Sequence, residues 1–296
     1  MFVKHYKPNY DINKEKYISI HNGVPKQFYN ILNKEFSEWE IPPWNLIIFE
    51  DKLLGEGSFA KVYLAKWRET YVAAKVINSE ILNTKKFLVL RELDIMSKLH
   101  HPNIVQFLGY IDEPFIIIME YIPKSNLQKN ISFLSKHQKV NIMRDILKAL
   151  AYIHNRKPSS LIHRDIKPTN ILLTKSKTAK ISDFGLSKYY NIFRINSHNA
   201  INQLVNNQIF NTELTNNVGT ERYMSPEQLG NLVYTHKTDI YSCGILLYEM
   251  FENKKYILHS KITYFWTPKK IRLIINNMLD NNPENRNNAL TILKNF

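Results

Sequence analysis

The sequence has one cysteine, Cys243, among 296 residues. An intramolecular disulfide is therefore excluded, which fits a reducing compartment. Long apolar runs are also missing, since the run from Phe115 to Met119 is far too short to span a bilayer. Residues 1–17 are polar and charged and lack the apolar core of a signal peptide. We therefore expect a protein without a membrane segment, in the cytoplasm or in cytoplasm and nucleus.

Acidic residues are few relative to basic ones: 26 Asp and Glu stand against 40 Lys and Arg, which gives a formal charge of +14. Such a surplus can indicate nucleic acid, an anionic membrane or acidic protein partners. The lysines are scattered, however, and no aromatic-basic stripe of the nucleic-acid-binding type stands out. We expect no nucleic-acid partner and interpret the charge as a general bias towards Lys, Asn and Ile.

The hydrophobic pattern changes character along the chain. It is strand-like from Leu46 to Ile77 apart from a glycine-rich turn, and again at Ile104–Tyr110 and Phe115–Tyr121. A helix is expected from about Thr84 to Leu99. Beyond Pro123 helices dominate, at about 135–154, 226–230, 239–252 and 268–279. A β-rich part followed by an α-rich part predicts an α+β fold with two lobes.

Two segments carry less information. Val24 to Trp39 could form one amphipathic helix before the break at Pro42-Pro43. Residues 191–217 are rich in Asn and have little periodicity, which predicts a long surface loop. Residues 1–44 are treated as an N-terminal extension of unknown role.

Three segments that lie far apart make chemical sense only together. They are Lys75 in V-A-A-K, the run H-R-D-I-K-P-T-N at 163–170, and D-F-G at 183–185. They supply a cation for phosphates, a carboxylate base and two oxygen ligands for a hard metal ion. Their order and spacing are those that phosphoryl transfer from a nucleotide requires.

A glycine-rich segment and a carboxylate at an apolar position strengthen this interpretation. Residues 54–62 read L-G-E-G-S-F-A-K-V between two expected strands, and two glycines let a backbone approach phosphate oxygens closely. A dinucleotide-binding fold would instead place a helix directly after the glycines. Glu92 lies on the apolar stripe of the expected helix, where a carboxylate is costly unless a cation meets it.

Together these segments resemble the eukaryotic-type protein kinases, over about residues 46 to 292. Residues 167–170 (K-P-T-N) and 219–227 (G-T-E-R-Y-M-S-P-E) are similar to the serine/threonine type. Trp39–Pro43 and Trp67-Arg68 resemble the tyrosine-kinase-like group of these enzymes. The resemblance implies a bilobal kinase domain at 45–296. A small, mainly-β N-lobe with one key helix would cover about 45–121, and a larger, mainly-α C-lobe about 125–296.

The resemblance also implies catalytic roles. Lys75 would pair with Glu92 and hold the α and β phosphates of ATP. Asp165 would accept or orient the proton of the substrate hydroxyl, and Lys167 would neutralise charge on the travelling γ-phosphoryl group. Position and electrostatics would supply most of the acceleration.

Ligand sites follow from the same resemblance. Asn170 and Asp183 would hold Mg²⁺, with Mn²⁺ as an alternative, because these ions prefer hard oxygen ligands. ATP would be enclosed by Leu54, Gly55, Glu56, Gly57, Ser58, Phe59, Ala60, Val62, Ala73, Lys75, Met119, Glu120, Ile122 and Leu172.

Several further residues have structural expectations. His163 would pack beneath Phe184 in a column with Met96 and Phe107, rather than act as a base. Asp239 would anchor the backbone of the catalytic loop, and Glu227 would pair with Arg286. Arg164 would meet a phosphate on the loop after D-F-G, for which the candidate acceptors are Ser187, Ser197, Thr212 and Thr215.

The predicted function is a serine/threonine protein kinase that transfers the ATP γ-phosphoryl group to protein substrates. Ala60 stands where the family has a third glycine, and the stretch from Asp239 to Arg286 is short. Two alternatives stay open: a pseudokinase-type nucleotide-binding scaffold and a dual-specificity kinase. A small-molecule phosphotransferase fits less well, because residues 220–227 belong to a segment that docks polypeptides.

Overall fold

The computed structural model describes residues 3–5, 37–123, 126–190, 221–230, 232–258 and 260–296. The chain divides into two compact units, one of residues 1–100 and 106–121 and the other of residues 101–105 and 122–296. The first holds the large sheet and the second holds most of the helices. This distribution confirms the expected α+β fold.

The first unit is built on an antiparallel sheet with the strand order β1-β2-β3-β4-β6-β5. Its hydrophobic core is formed by β-branched and aliphatic side chains of the strands and by Ile41, which precedes them. The strands are β1 (Val3–His5), β2 (Leu46–Glu56), β3 (Ala60–Trp67), β4 (Thr70–Ile77), β5 (Phe107–Ile111) and β6 (Ile116–Glu120). The strand expected from Ile104 begins only at Phe107, because Ile104 makes an isolated bridge with Ile181 instead.

One helix, α1 (Ser79–Ser97), belongs to this unit. It begins earlier than the apolar stripe indicated, because the side chain of Asn78 accepts a hydrogen bond from the backbone N–H of Glu80 and caps the helix. The residues of the expected apolar stripe, Leu88, Ile95, Met96 and Leu99, are buried, and so is Glu92. The carboxylate that the sequence placed among apolar side chains is therefore inside the unit.

The sheet edge at β5 is covered by a segment of the N-terminal extension. The backbone N–H of Ile41 donates to the carbonyl of Tyr110 at 2.7 Å, and the ring of Trp39 lies 5.4 Å from that of Phe107. A Cβ on Gly109 would lie 2.7 Å from the Trp39 carbonyl oxygen, so glycine is required for this approach. Of the expected helix at 24–39, residues 24–36 lie outside the described residues, and Ser37–Trp39 form a short 3₁₀ turn.

The second unit packs its helices around α4 (Lys237–Glu252), which is buried at every residue from Thr238 onward. The other helices are α2 (Lys136–His154), α3 (Pro226–Leu229), α5 (Lys269–Met278) and α6 (Ala289–Asn295). Two small antiparallel sheets pair β7 (Ser160–Ile162) with β10 (Lys188–Tyr190) and β8 (Ile171–Leu173) with β9 (Ala179–Ile181). The four helices expected beyond Pro123 are confirmed. Across the described ranges, no helix has the length and apolarity needed to cross a membrane.

Gly244 sets the distance between α4 and the end of α5. A Cβ at this position would lie 2.8 Å from Cβ of Met278 and 2.9 Å from Cγ of Leu279. We expect Gly244→Ala to lower the free energy of unfolding by about 1–2 kcal/mol, because overpacking outweighs the higher helix propensity of Ala. Chemical denaturation measures this change.

Gly55→Ala is the matched control, since no described atom lies within 4 Å of the added Cβ. Its unfolding midpoint should equal that of the parent chain. Equal midpoints for all three proteins would contradict the packing argument.

Candidate active site

The catalytic loop, residues 163–170, is anchored by one buried carboxylate. Asp239 lies in the first turn of α4 and accepts the backbone N–H groups of His163 at 2.9 Å and Arg164 at 2.8 Å. Nε2 of His154 is 2.8 Å from Oδ2 of the same carboxylate. Burial alone would raise the pKa of Asp239, but the bonds from His154 and His163 outweigh it and hold the pKa below its usual value. The expected anchoring role is confirmed.

The side chains of Lys167 and Asn170 both contact Asp165. Nδ2 of Asn170 donates to the Asp165 carbonyl at 2.9 Å and to Oδ2 of its carboxylate at 2.8 Å. Nζ of Lys167 lies 2.8 Å from the same Oδ2. The other carboxylate oxygen, Oδ1, is buried and has no hydrogen-bond partner within the described part of the chain. Asp165 is therefore held by one oxygen while the second can accept a proton or a hydroxyl group.

Asp183 is tied to this cluster through its neighbour. Ser182 donates both its backbone N–H, at 2.9 Å, and its hydroxyl, at 3.0 Å, to the carbonyl of Asn170. Asp183 follows with φ of 64° and an exposed side chain. Because Nδ2 of Asn170 is used on Asp165, its amide oxygen is the atom left for a cation.

The donor set suits a hard cation. Asn170 and Asp183 offer an amide oxygen and a carboxylate, and Mg²⁺ takes such oxygens while keeping several water or phosphate ligands. In the described ranges, no group of three or more His, Cys, Asp and Glu side chains could hold a metal ion. The two-ligand set of Asn170 and Asp183 is compatible with a divalent cation that keeps other ligands.

His163 has a structural position. Its ring meets that of Phe184 edge-on at 4.9 Å, and its Nδ1 accepts the backbone N–H of Asp165 at 3.3 Å. Nε2 then carries the proton and donates to the Ser182 carbonyl at 3.2 Å. Complete burial lowers the pKa of His163, which favours the neutral imidazole. The expected packing against Phe184 is confirmed. Met96 and Phe107 belong to the other unit.

Arg164 adopts a left-handed backbone with φ of 70°. Its Nε donates to the Leu186 carbonyl at 2.5 Å, and one terminal nitrogen donates to the Tyr234 hydroxyl at 2.6 Å. Ser187 is fully buried and donates its hydroxyl to the His163 carbonyl at 3.3 Å. This burial argues against Ser187 as a phosphate acceptor. The candidates Ser197, Thr212 and Thr215, like Gly219 and Thr220, lie outside the described residues.

In the first unit, Lys75 and Glu92 form an ion pair with Nζ and Oε1 2.5 Å apart. The Lys75 side chain is 13% exposed and that of Glu92 6%. Lys75 comes from β4 and Glu92 from the buried face of α1, so the pair joins the sheet to the helix. The cation that the Glu92 position required is therefore Lys75.

The glycine-rich turn connects β2 to β3, and β3 pairs with β4, the strand that carries Lys75. Backbone pairing puts Gly55, Val62 and Lys75 in one row across three strands. A Cβ on Gly55 would touch no described atom, and one on Gly57 would meet only the Ala60 carbonyl at 3.9 Å. Packing within the described chain therefore does not require these glycines, whereas close approach of a phosphate would.

Ala60 fills the position of the missing third glycine without distortion. It lies in β3 opposite Ile77 and is 8% exposed. Its carbonyl accepts the Gly57 N–H at 2.9 Å, which closes the turn. Alanine at this position therefore leaves a regular turn in place.

The remaining nucleotide-binding candidates divide between the units. Ala73 pairs with Met119 across β4 and β6, and both are largely buried. Glu120 ends β6, and its Oε1 accepts the Gln106 N–H at 2.7 Å. The first unit also holds Leu54, Glu56, Ser58 and Phe59, and the second holds Ile122 and Leu172.

One contributor to the site escaped sequence reasoning. His154, which bonds Asp239, was not singled out. It stands four residues after Leu150 and seven after Leu147, on the buried face of α2. A polar side chain on an apolar stripe was the signal that identified Glu92, and it applies equally to His154.

Comparison with known proteins agrees with this geometry. The family model described as the protein kinase domain matches residues 49–295. The chain belongs to the protein kinase family. Among curated kinases, it is 37% identical over 228 residues to the serine/threonine-protein kinase VIK of Arabidopsis thaliana, covering 73% of this chain and 48% of the relative.

Two further relatives are similar to the chain. One is the serine/threonine-protein kinase CTR1 of Arabidopsis thaliana, at 31% identity over 78% of this chain and 27% of the relative. The other is the probable serine/threonine-protein kinase gdt4 of Dictyostelium discoideum, at 37% identity over 69% of this chain and 12% of the relative. The chain thus spans half or less of the length of these kinases.

A buried ion pair joins Glu227 in α3 to Arg286 near the C-terminal end of the kinase domain. Both terminal nitrogens of Arg286 donate to the Glu227 carboxylate, at 2.6 and 2.9 Å. Arg286 is 1% exposed, and its guanidinium also lies over the ring of Tyr241, 4.9 Å from the ring centre. The expected pair is confirmed, in a bidentate geometry that favours strong binding.

We expect Arg286→Ala to lower the free energy of unfolding by about 3–5 kcal/mol, since it leaves the buried Glu227 charge without its partner. Thermal and chemical denaturation measure the loss. Lys61→Ala is the control, because it removes one side of an exposed ion pair with Glu56. It should leave the unfolding midpoint unchanged, and a similar loss in both variants would contradict the assignment.

Stability of the second unit should also depend on pH through His236. Burial, then the nearby His154 and Lys237, lower the pKa of His236 from its usual 6.5 to about 4. The unfolded chain therefore binds this proton as pH falls below about 6.5 while the folded chain does not until about 4.

We expect unfolding free energy to fall over this window, by about 1–3 kcal/mol from this group. His236→Gln should flatten the curve measured by denaturant titration at successive pH values. His137→Gln, at the exposed start of α2, is the control. A curve unchanged by His236→Gln would reject the assignment.

Proposed function

We propose that this chain is an ATP-dependent serine/threonine protein kinase. The observation that carries the proposal is the cluster of Asp165, Lys167 and Asn170, in which one carboxylate oxygen is held by an ammonium and an amide group and the other is left open. This is the arrangement that a hydroxyl acceptor and a phosphoryl donor need together.

The acceptor hydroxyl is oriented by Asp165. A serine or threonine hydroxyl donates its hydrogen bond to Oδ1, and its oxygen attacks the γ-phosphorus of ATP. As the new P–O bond forms, the bond to the β-phosphate oxygen breaks, ADP leaves, and the hydroxyl proton passes to the carboxylate. Lys167, held at Oδ2, places a positive charge beside the transferring group.

The donor phosphates are bound by charge and by backbone. Lys75, oriented by Glu92, holds the α and β phosphates, and the N–H groups of the turn at 55–58 approach phosphate oxygens. Asn170 and Asp183 would hold Mg²⁺, which would neutralise charge on the phosphates when bound. The oxygen-only donor set supports Mg²⁺, and Mn²⁺ is compatible with the same ligands.

The substrate class and partners are part of the proposal. The relatives in the comparison are called serine/threonine kinases, and the K-P-T-N sequence of the loop supports the same specificity here. Protein substrates are expected, and nucleic acid is not. A cytoplasmic or nucleocytoplasmic location stays a prediction from the sequence.

The test compares phosphate transfer from ATP to a generic basic protein. We expect Lys75→Met and Asp183→Ala to reduce transfer at least about hundredfold, since each removes charge that stabilises the transferring phosphates. The neighbouring surface residues Lys52 and Asp51 give matched controls, as Lys52→Met and Asp51→Ala, because both side chains are exposed, at 57% and 42%. Both controls should retain full activity.

Phosphoamino-acid analysis and calorimetry separate the alternatives. Phosphoserine and phosphothreonine are expected in the product, and appreciable phosphotyrosine would favour the dual-specificity alternative. Magnesium-dependent ATP binding without any transfer by the parent chain would favour the pseudokinase-type scaffold and overturn the proposal.

A further inference from the structure

The connection between α4 and α5 combines exposed aromatic side chains with an unusual charge distribution. We call residues 253–258 and 260–272, which run from the end of α4 into the first turn of α5, the basic aromatic loop. From Asn253 to Leu279 the sequence has no Asp or Glu, and its six basic residues are Lys254, Lys255, Lys261, Lys269, Lys270 and Arg272. Basic side chains in this stretch are therefore not balanced by acidic ones nearby in the sequence.

A buried carboxylate fixes the backbone of this loop. Glu252, the last residue of α4, accepts the backbone N–H groups of Phe265 at 2.9 Å, Trp266 at 3.2 Å and Thr267 at 3.0 Å. It also accepts the Thr267 hydroxyl. Glu252 is 4% exposed, so three consecutive backbone donors are already satisfied inside the protein. The turn is thus held in one conformation before any partner arrives.

The fixed backbone displays two large apolar side chains. Phe265 is 71% exposed and Trp266 is 70% exposed. Cations flank the aromatic groups: Nζ of Lys254 lies 5.1 Å from the Phe265 ring centre, and the Arg272 guanidinium lies 5.5 Å from that of Tyr264. Adjacent exposed Phe and Trp are unfavourable in water and usually mark an interaction site.

We propose that the basic aromatic loop docks on an anionic lipid surface, with Phe265 and Trp266 in the interfacial layer and the lysines at the headgroups. Trp is enriched at membrane–water interfaces, and basic residues are attracted to anionic headgroups. Each basic residue near an anionic leaflet strengthens binding about fivefold. Complementarity of charge is the supporting observation, since no acidic side chain from 253 to 279 opposes the contact.

The hydrogen bonds of Glu252 favour a lipid surface over an extended peptide. A peptide strand that adds to a backbone needs free N–H groups, and those of residues 265–267 are bound to Glu252. The same bonds allow the turn to enter a layer poor in water without leaving those donors unsatisfied. Recognition therefore depends on the side chains of the loop.

The experiment uses the whole chain, without nucleotide, in co-sedimentation with two kinds of vesicle. One is phosphatidylcholine alone and the other is an equimolar mixture of phosphatidylcholine and phosphatidylserine. We expect binding to the mixed vesicles only, weakening as salt rises. The double variant Phe265→Ser, Trp266→Ser should bind about tenfold more weakly, because it removes the apolar groups that enter the layer.

Charge reversal of two lysines tests the electrostatic attraction to the anionic lipid. Lys269→Glu with Lys270→Glu should weaken binding at least about tenfold, from the loss of two attractions and the gain of two repulsions. Matched controls in the same unit are Phe133→Ser, whose side chain is 82% exposed, and Lys136→Glu with Lys175→Glu, which are also exposed. Both controls should bind as the parent chain does.

Tryptophan fluorescence locates the contact. Mixed vesicles should shift the emission of the parent chain to the blue, and Trp266→Phe should lose that shift while still sedimenting. Equal binding by the parent chain and the Phe265, Trp266 variant would overturn the proposal. So would failure of the parent chain to bind mixed vesicles, which would assign the loop to a protein partner instead. Loss of kinase activity has no bearing on either result.

Discussion

The buried carboxylate of Asp239 is the constraint on which the second unit depends. An unpaired charge at such depth would be prohibitive, so the fold brings three donors to it: two consecutive backbone N–H groups and one imidazole. Meeting that requirement fixes the backbone at His163 and Arg164. The left-handed conformation of Arg164, which costs about 1–2 kcal/mol in isolation, is sustained in this way. Asp165 then follows at a defined place and angle.

The same physical pattern recurs at other carboxylates inside the molecule. Glu92 is met by Lys75, Glu227 by Arg286, and Glu249 by the Tyr223 hydroxyl and the Tyr256 N–H. Glu252 is met by backbone donors of the basic aromatic loop. Each buried acid joins residues that are not neighbours in the sequence, so these contacts define which loops and helices lie together. Apolar packing alone would tolerate more than one arrangement.

Much of this could be predicted from the sequence. Local signals sufficed for strands β2–β6, apart from the start of β5, and for four of the five helices in the described part of the second unit, because the apolar period reports which side of an element is buried. Glu92 was also readable, since a carboxylate on an apolar stripe demands a cation. Motif order then identified the residues of the catalytic loop and the anchor Asp239, by resemblance.

Other features could not be read because they depend on tertiary contacts. Ile104 has strand-like neighbours, yet its partner is Ile181 in the second unit and not a strand of the large sheet. The pairing of Ile41 with Tyr110 leaves no local trace except a glycine at 109. The fixed backbone of the basic aromatic loop could not be predicted, because Glu252 reaches donors 13 to 15 residues away. His154 carried the same signal as Glu92 and was overlooked.

The docking of Trp39–Ile41 along β5 bears on how shortened forms of the protein should be designed. The family match begins at residue 49, but Ile41, Leu46 and Ile48 all contribute to the apolar core under the sheet. A recombinant fragment that begins at residue 49 would start inside β2 and lose those three side chains. It would also leave β5 as an exposed edge strand, because Ile41 would no longer bond Tyr110. Exposed edge strands pair with other chains and cause aggregation. Insolubility of such a fragment would therefore result from the chosen start residue and would not show that the kinase domain is unstable.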